Sequence, residues 1–215
     1  MTRCRRNMSL AAFFIFLFSM SSIGEGLNPQ DILQRVEETL NAAKGIRVDF
    51  EEIYEWKQTG EKQSLQGELI LNGQNQFRVT TQDQIIVSDG VTLWTFSKPS
   101  NRVLIDRLEQ TDNTLLPQQL FFSYKKDYQV KAAKEETVGG ATCSVLFLSS
   151  NKKDVYITQI KAWIEKDKWI PKKIEQTDLS KNRITYILKN VEINIPVDPG
   201  TFQFVIPEGA EVIKL

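Results

Sequence analysis

A side chain able to take a proton near neutral pH is the usual starting point for chemistry, and the commonest one, histidine, is absent from all 215 residues. With it go the commonest general base and the commonest metal ligand. The two cysteines are Cys4 and Cys143. Cys143 lies in Thr142-Cys143-Ser144-Val145-Leu146-Phe147-Leu148, a run of strand character. A thiol there, with no histidine to activate it, reads as a small buried hydrophobe and not a nucleophile. Glu51-Glu52, Glu135-Glu136 and Asp167 remain as acid–base candidates. They stand in polar alternation or at turns, where charge marks a solvated face, and nothing in their spacing sets two of them across a cleft. Lys166, Lys168, Trp169, Lys172 and Lys173 mix basic residues with an aromatic, as nucleic-acid contacts do, but Glu165, Asp167 and Glu175 interrupt them. A solvated hairpin is the simpler reading, because binding driven by counterion release needs unopposed positive charge. There is no GxSxG elbow, phosphate-cradling glycine loop or Cys/His metal spacing. The expectation is a protein that is not an enzyme, with no metal, no cofactor and no nucleic-acid partner.

The elements that would position any site begin after a leader. Arg3, Arg5 and Arg6 precede nine unbroken apolar residues from Leu10 to Phe18, and Ser22 and Gly24 supply small residues before Glu25. This is the pattern of a cleavable secretory signal peptide over residues 1–24, since a membrane span needs about twenty apolar residues. Cys4 precedes the apolar core, so it is not the lipidated cysteine of a lipoprotein, which follows that core. The remaining residues 25–215 read as one domain exported to the periplasm. Losing three arginines and no acid from a balanced 27 against 27 leaves a net charge of −3. One cysteine remains, so no internal disulfide forms and the fold must hold by its core. At 41% hydrophobic and 25% charged, the chain has enough apolar surface for one.

Asn28 as N-cap, Pro29 at N1, the Leu27/Ile32 staple and Gly45 as terminator delimit one helix, with Ile32, Leu33, Val36 and Leu40 on its apolar face. Period-two alternation then dominates. Ile46, Val48, Phe50, Glu52, Tyr54 and Trp56 point one way and Arg47, Asp49, Glu51, Ile53, Glu55 and Lys57 the other. Further strands are expected over 65–71, 77–81, 85–88, 91–96, 102–107, 128–132, 143–149, 155–165, 169–177, 183–192 and 201–206, joined by turns such as Asn72-Gly73 and Asp89-Gly90. Leu115, Leu116, Leu120, Phe121 and Phe122 break the alternation in a segment opened by Asp112 and carrying Pro117, which suggests a short helical insertion. The pattern predicts a mainly β fold with helices (α+β): an incomplete antiparallel β-barrel, its concave side covered by the N-terminal helix and the insertion. Whether that concavity is filled core or a ligand cavity stays open on pattern alone.

Val87-Ser88-Asp89-Gly90-Val91-Thr92-Leu93-Trp94-Thr95-Phe96 resembles the strand, Asp-Gly turn and Leu-Trp strand of the LolA family of periplasmic lipoprotein carriers. Phe50 after the first helix, Gly67-Glu68-Leu69, Asn75-Gln76-Phe77-Arg78 and Phe202-Gln203-Phe204-Val205-Ile206-Pro207-Glu208-Gly209 follow the family's order. The resemblance implies an incomplete barrel with a lid over a hydrophobic cavity. It also implies a monomeric chaperone that takes acylated lipoproteins from an inner-membrane lipoprotein-releasing ABC transporter to the outer membrane, where an acceptor of LolB type can receive them. The cavity residues it implies are Val48, Phe50, Leu69, Leu71, Phe77 and Val79 on the concave face, with Ile32, Val36, Leu40, Leu120 and Phe121 on the lid. On this reading Phe77→Glu abolishes uptake in a protein that still folds. Gly73-Gln74 stands where many members have an Arg-Pro pair that latches the lid, so a differently fastened lid is expected. Arg78 and Arg47, the candidate substitutes, read more simply as solvent-facing strand residues. A periplasmic sensor or regulatory domain of related fold, binding a protein or lipid signal, is the alternative.

Overall fold

The computed structural model describes residues 28–73, 75–110, 128–150, 152 and 155–215. The expected signal peptide, Leu27 and the insertion with Leu120 and Phe121 lie outside the described residues. Helix α1 spans Pro29–Ala42, and the Asn28 side chain accepts the Gln30 N–H at 3.0 Å, so the expected N-cap forms. The helix stops at Ala42, with Ala43 already extended. Gly45 serves close approach instead of termination: a Cβ there would meet Val197 Cγ2 at 2.5 Å and the Ile195 carbonyl at 2.6 Å.

Twelve strands follow: β1 (Ile46–Glu55), β2 (Lys62–Asn72), β3 (Gln76–Thr81), β4 (Gln84–Asp89), β5 (Thr92–Ser97), β6 (Arg102–Arg107), β7 (Tyr128–Val138), β8 (Ala141–Ser150), β9 (Ile157–Glu165), β10 (Ile170–Asp178), β11 (Arg183–Ile193) and β12 (Glu211–Lys214). They form one open sheet in the order β12-β6-β5-β4-β3-β2-β1-β11-β10-β9-β8-β7. Two antiparallel meanders are therefore joined by the β1–β11 pair, and the incomplete barrel with its N-terminal helix is the architecture observed. Turn chemistry enforces the meander. Asp89 Oδ1 accepts the N–H groups of Val91 and Thr92 at 2.9 and 2.8 Å, while Gly90 takes the positive φ of 103° that other residues avoid. Between β10 and β11, buried Asp178 accepts both the backbone and side-chain N–H of Asn182 at 2.9 and 2.8 Å.

The C-terminal expectation needs correction. Residues 201–206 do not form a strand: a 3₁₀ turn over Pro199–Phe202 inserts Phe202 into the fold, 3% exposed. Phe204 then packs against Trp94 and Phe96, its ring centroid 6.4 and 6.2 Å from theirs. Pro199 and the Asp198 cap, which accepts the Gly200 N–H, make the turn locally preferred over extension. The last strand is β12, parallel to β6. Arg78 points to this side, its guanidinium donating to the Thr201 carbonyl at 3.4 Å, and Arg47 pairs with Glu68 there at 3.4 Å. Neither faces the concave side.

On the concave side α1 packs against β7 and β10, burying Ile32, Leu33, Val36 and Leu40 among Leu146, Leu148, Ile160 and Ile174. Arg35 adds a contact of its guanidinium over the Trp169 ring, 4.9 Å from the centroid. The helix thus covers the half of the sheet farther from β3 and β4. A second, small cluster of Cys143, Val145 and Trp163 lies apart from the main core. Cys143 is fully buried and unpaired, and burial, with Glu165 nearby, pushes its thiol up and away from reactivity.

Candidate ligand-binding cavity

The register of β1 to β4 converts period-two alternation into rows of side chains crossing the concave face. Ile46, Leu71, Phe77 and Ser88 stand opposite one another in one row, and Val48, Leu69, Val79 and Ile86 in the next. Phe50, Gly67 and Thr81 form the third, and Glu52 with Leu65 the fourth. On the other flank of β1, Phe50 pairs with Leu188 and Glu52 with Tyr186. The first row lies in the core and none of it lines the cavity, Phe77 having no exposed surface. The following rows line a cavity of about 640 Å³, a size usual for small-ligand sites.

Its apolar floor is Val48, Phe50, Leu69, Val79, Ile86 and Leu188. Gln63, Gln66, Gln82, Asp83 and Gln84 form an exposed polar rim at the β1–β2 and β3–β4 ends. The glycine in the third row makes room for the Phe50 ring, which lies across it on the floor. Of the residues expected on the concave face, Val48, Phe50, Leu69 and Val79 meet in the cavity. Leu71 and Phe77 lie one row behind it, in the core. Ile32, Val36 and Leu40 belong to the same continuous core as the floor but do not line the cavity.

Among the lining residues that sequence did not assign to the cavity are Ile86, Leu188, Glu52 and Tyr186. Glu52 carried a usable signal, since it shares the parity of Val48 and Phe50 on β1. Burial pushes its carboxyl above the ordinary range, and a hydrogen bond from the Tyr186 hydroxyl partly offsets the push. Its sequence neighbour Glu51 faces the other way and pairs with Lys189 at 2.9 Å, so the two carboxylates are no acid–base dyad.

The other charged candidates are likewise engaged structurally. Glu136 accepts the Trp163 indole N–H at 2.6 Å and the Lys161 ammonium at 3.1 Å. Lys161 and Lys173 each stand 4.2 Å from the Trp163 ring centroid. Glu135 pairs with Lys166, and Lys168 with Glu165 at 2.9 Å, which leaves the lysine-rich turn largely neutralised. Among the described residues no helix is long and apolar enough to cross a membrane.

This architecture belongs to a known family. The sequence profile of the outer membrane lipoprotein carrier protein LolA matches residues 41–205, most of the chain, and the protein is a member of the LolA family. An uncharacterized protein of Methanocaldococcus jannaschii is 26% identical over 208 residues, 95% of this chain and 59% of the relative, so the chain spans well under two thirds of that protein. Among solved structures, an uncharacterized conserved protein from Thermus thermophilus superposes with a TM-score of 0.61 at 13% identity, covering 86% of this chain and 98% of the other. MucB superposes with a TM-score of 0.51 at 15% identity, covering 86% of this chain and 65% of MucB. At these identities the structural likeness defines the fold.

Proposed function

We propose that the protein is a periplasmic carrier of acylated lipoproteins, sheltering their acyl chains between an inner-membrane ABC transporter and the outer membrane, with or without an acceptor of LolB type. On this reading residues 1–24 are removed on export, residues 25–215 form the single carrier domain, and no catalysis takes place. The observation that carries it is the apolar trough of Val48, Phe50, Leu69, Val79, Ile86 and Leu188, left open beside a core that is closed one row away. Membership of the LolA family supports the choice of an acyl cargo over other apolar ligands.

The physical task suits such a site. Each methylene removed from water contributes about 0.8 kcal/mol, so an acyl chain cannot cross an aqueous compartment uncovered. Transfer also requires that the carrier release what it holds. A floor of aliphatic contacts supplies shape-tolerant affinity that a membrane or an acceptor can match.

The test is native mass spectrometry of the protein isolated from the periplasm of cells making a lipidated model lipoprotein. A cargo whose lipidation cysteine is replaced serves as control. A one-to-one complex seen only with lipidated cargo supports the carrier, and binding of neither cargo, where an established carrier binds, overturns it.

A further inference from the structure

An acyl chain explains the floor of the cavity but leaves Glu52 without a purpose. Its carboxyl stands at the end of the apolar rows, between Leu65 and Tyr186, and all three residues line the trough. The charged groups among the described lining residues are Glu52 and Asp83, with no Lys or Arg to balance them. Asp83 is on the exposed rim, whereas Glu52 is half-buried beside Phe50 and Leu188. Where water is partly displaced, a fixed carboxylate acts more strongly on an incoming charge than it would at the surface. The Lys98 ammonium stands at the rim, donating to the Thr81 and Gln82 carbonyls at 2.7 and 2.9 Å, so a sulfate, phosphate or carboxylate head seated at Glu52 meets like charge and no cation among the lining residues. An ammonium or an amide N–H finds an acceptor already oriented by the Tyr186 hydroxyl.

We propose that the cavity sorts acylated ligands by their head groups, Glu52 and Tyr186 forming a subsite for a cationic or hydrogen-bond-donating head and disfavouring anionic amphiphiles. The subsite rests on the acyl-carrier reading and sharpens it. An acylated N-terminal residue presents an ammonium beside its chains, or an amide N–H once it is N-acylated, and both are donors. A free fatty acid or an acidic phospholipid presents an anion, so the same cavity would resist filling with ordinary membrane lipid.

Matched twelve-carbon amphiphiles separate the two ideas. Isothermal titration calorimetry at neutral pH, below the micellar range, compares dodecylamine, a methyl-capped oligoethylene glycol dodecyl ether, whose neutral head has no hydrogen-bond donor, and dodecyl sulfate on the wild-type protein and on Glu52→Gln. The amide is isosteric and removes a charge whose burial is unfavourable, so the variant keeps the fold. The wild type is expected to bind the amine about tenfold or more tightly than the sulfate, and Glu52→Gln to weaken the amine about tenfold while moving the donor-free ether by less than about twofold. Equal affinities for the three heads, or an unchanged ranking in Glu52→Gln, overturn the subsite and leave the acyl cavity standing. Failure of all three to bind overturns the cavity reading and the subsite together.

Discussion

Phe50 and Gly67 are direct cross-strand partners, and the phenyl ring occupies the space a side chain at 67 would need: a Cβ there would stand 2.7 Å from Phe50 Cζ and 2.6 Å from the Thr80 carbonyl oxygen. The ring can turn aside, but the carbonyl belongs to the sheet. Gly67→Ala should therefore destabilise the protein by about 1–3 kcal/mol, the usual cost of overpacking. The displaced ring would enter the trough, so acyl affinity should fall as well. Thermal melts and amphiphile titration read the two effects. An unchanged melting temperature would mean that the sheet accommodates the methyl group freely.

The boundary between core and cavity falls between two neighbouring residues of β3. Phe77 is wholly buried, so Phe77→Ala should cost about 3–5 kcal/mol, and a charge at that position should unfold the protein before it can report on uptake. Val79 is half-buried on the floor, and Val79→Ala should cost about 1 kcal/mol by lost methyl burial. Val79→Asn should weaken acyl binding while the fold persists. Urea unfolding beside amphiphile titration separates the two positions, and equal stability losses at 77 and 79 would erase the boundary.

Much of this was legible in the sequence because it depends on local rules. The Asn28 cap, the parity of Val48 and Phe50, and the Asp89-Gly90 turn each follow from a few neighbouring residues, and together they define a curved antiparallel sheet with one helix. Period two, however, assigns a face and not a row. Phe77 and Val79 share a face, and only the pairing of β1 through β4 places one in closed core and the other at the cavity. Leu188 and Tyr186 were illegible for a related reason. They reach the site because β11 pairs with β1, a contact between residues more than a hundred positions apart that no local pattern encodes. The C-terminal turn shows the opposite failure, where Phe-x-Phe alternation suggests a strand and Pro199 with Asp198 overrides it.

The helix is fastened without an arginine at the Asn72-Gly73 turn, where Gly73 has a φ of 66° and open space around it. Four buried side chains and Arg35 lying over Trp169 contribute to its hold. Arg35→Ala should loosen α1 by about 0.5–1 kcal/mol, the scale of an exposed cation–π contact. Hydrogen exchange should show faster opening of the α1 amides with little change in β1 or β11. Uniform acceleration across the sheet would instead mark Arg35 as a global stabiliser.

Two carboxylates give the stability opposite dependences on pH. Burial raises Glu52 above its ordinary value of 4.5, so the folded protein holds that proton more tightly than the unfolded chain. Its contribution is fully present below the unfolded value and is lost as pH rises through the folded one. Glu52→Gln should therefore be more stable than the wild type at neutral pH, with the gap closing on acidification. Glu136 is lowered from 4.5, first by the Trp163 indole N–H and then by Lys161, so its contribution is present above the unfolded value and disappears as pH falls through the folded one. Glu136→Gln should be less stable at neutral pH, and that gap too should close in acid. Urea melts of the two variants between about pH 4 and about pH 7 test the pair. Gaps of the same sign at neutral pH would mean that the Glu52 carboxyl is hydrated in the open trough instead of being held by Tyr186 against the apolar floor.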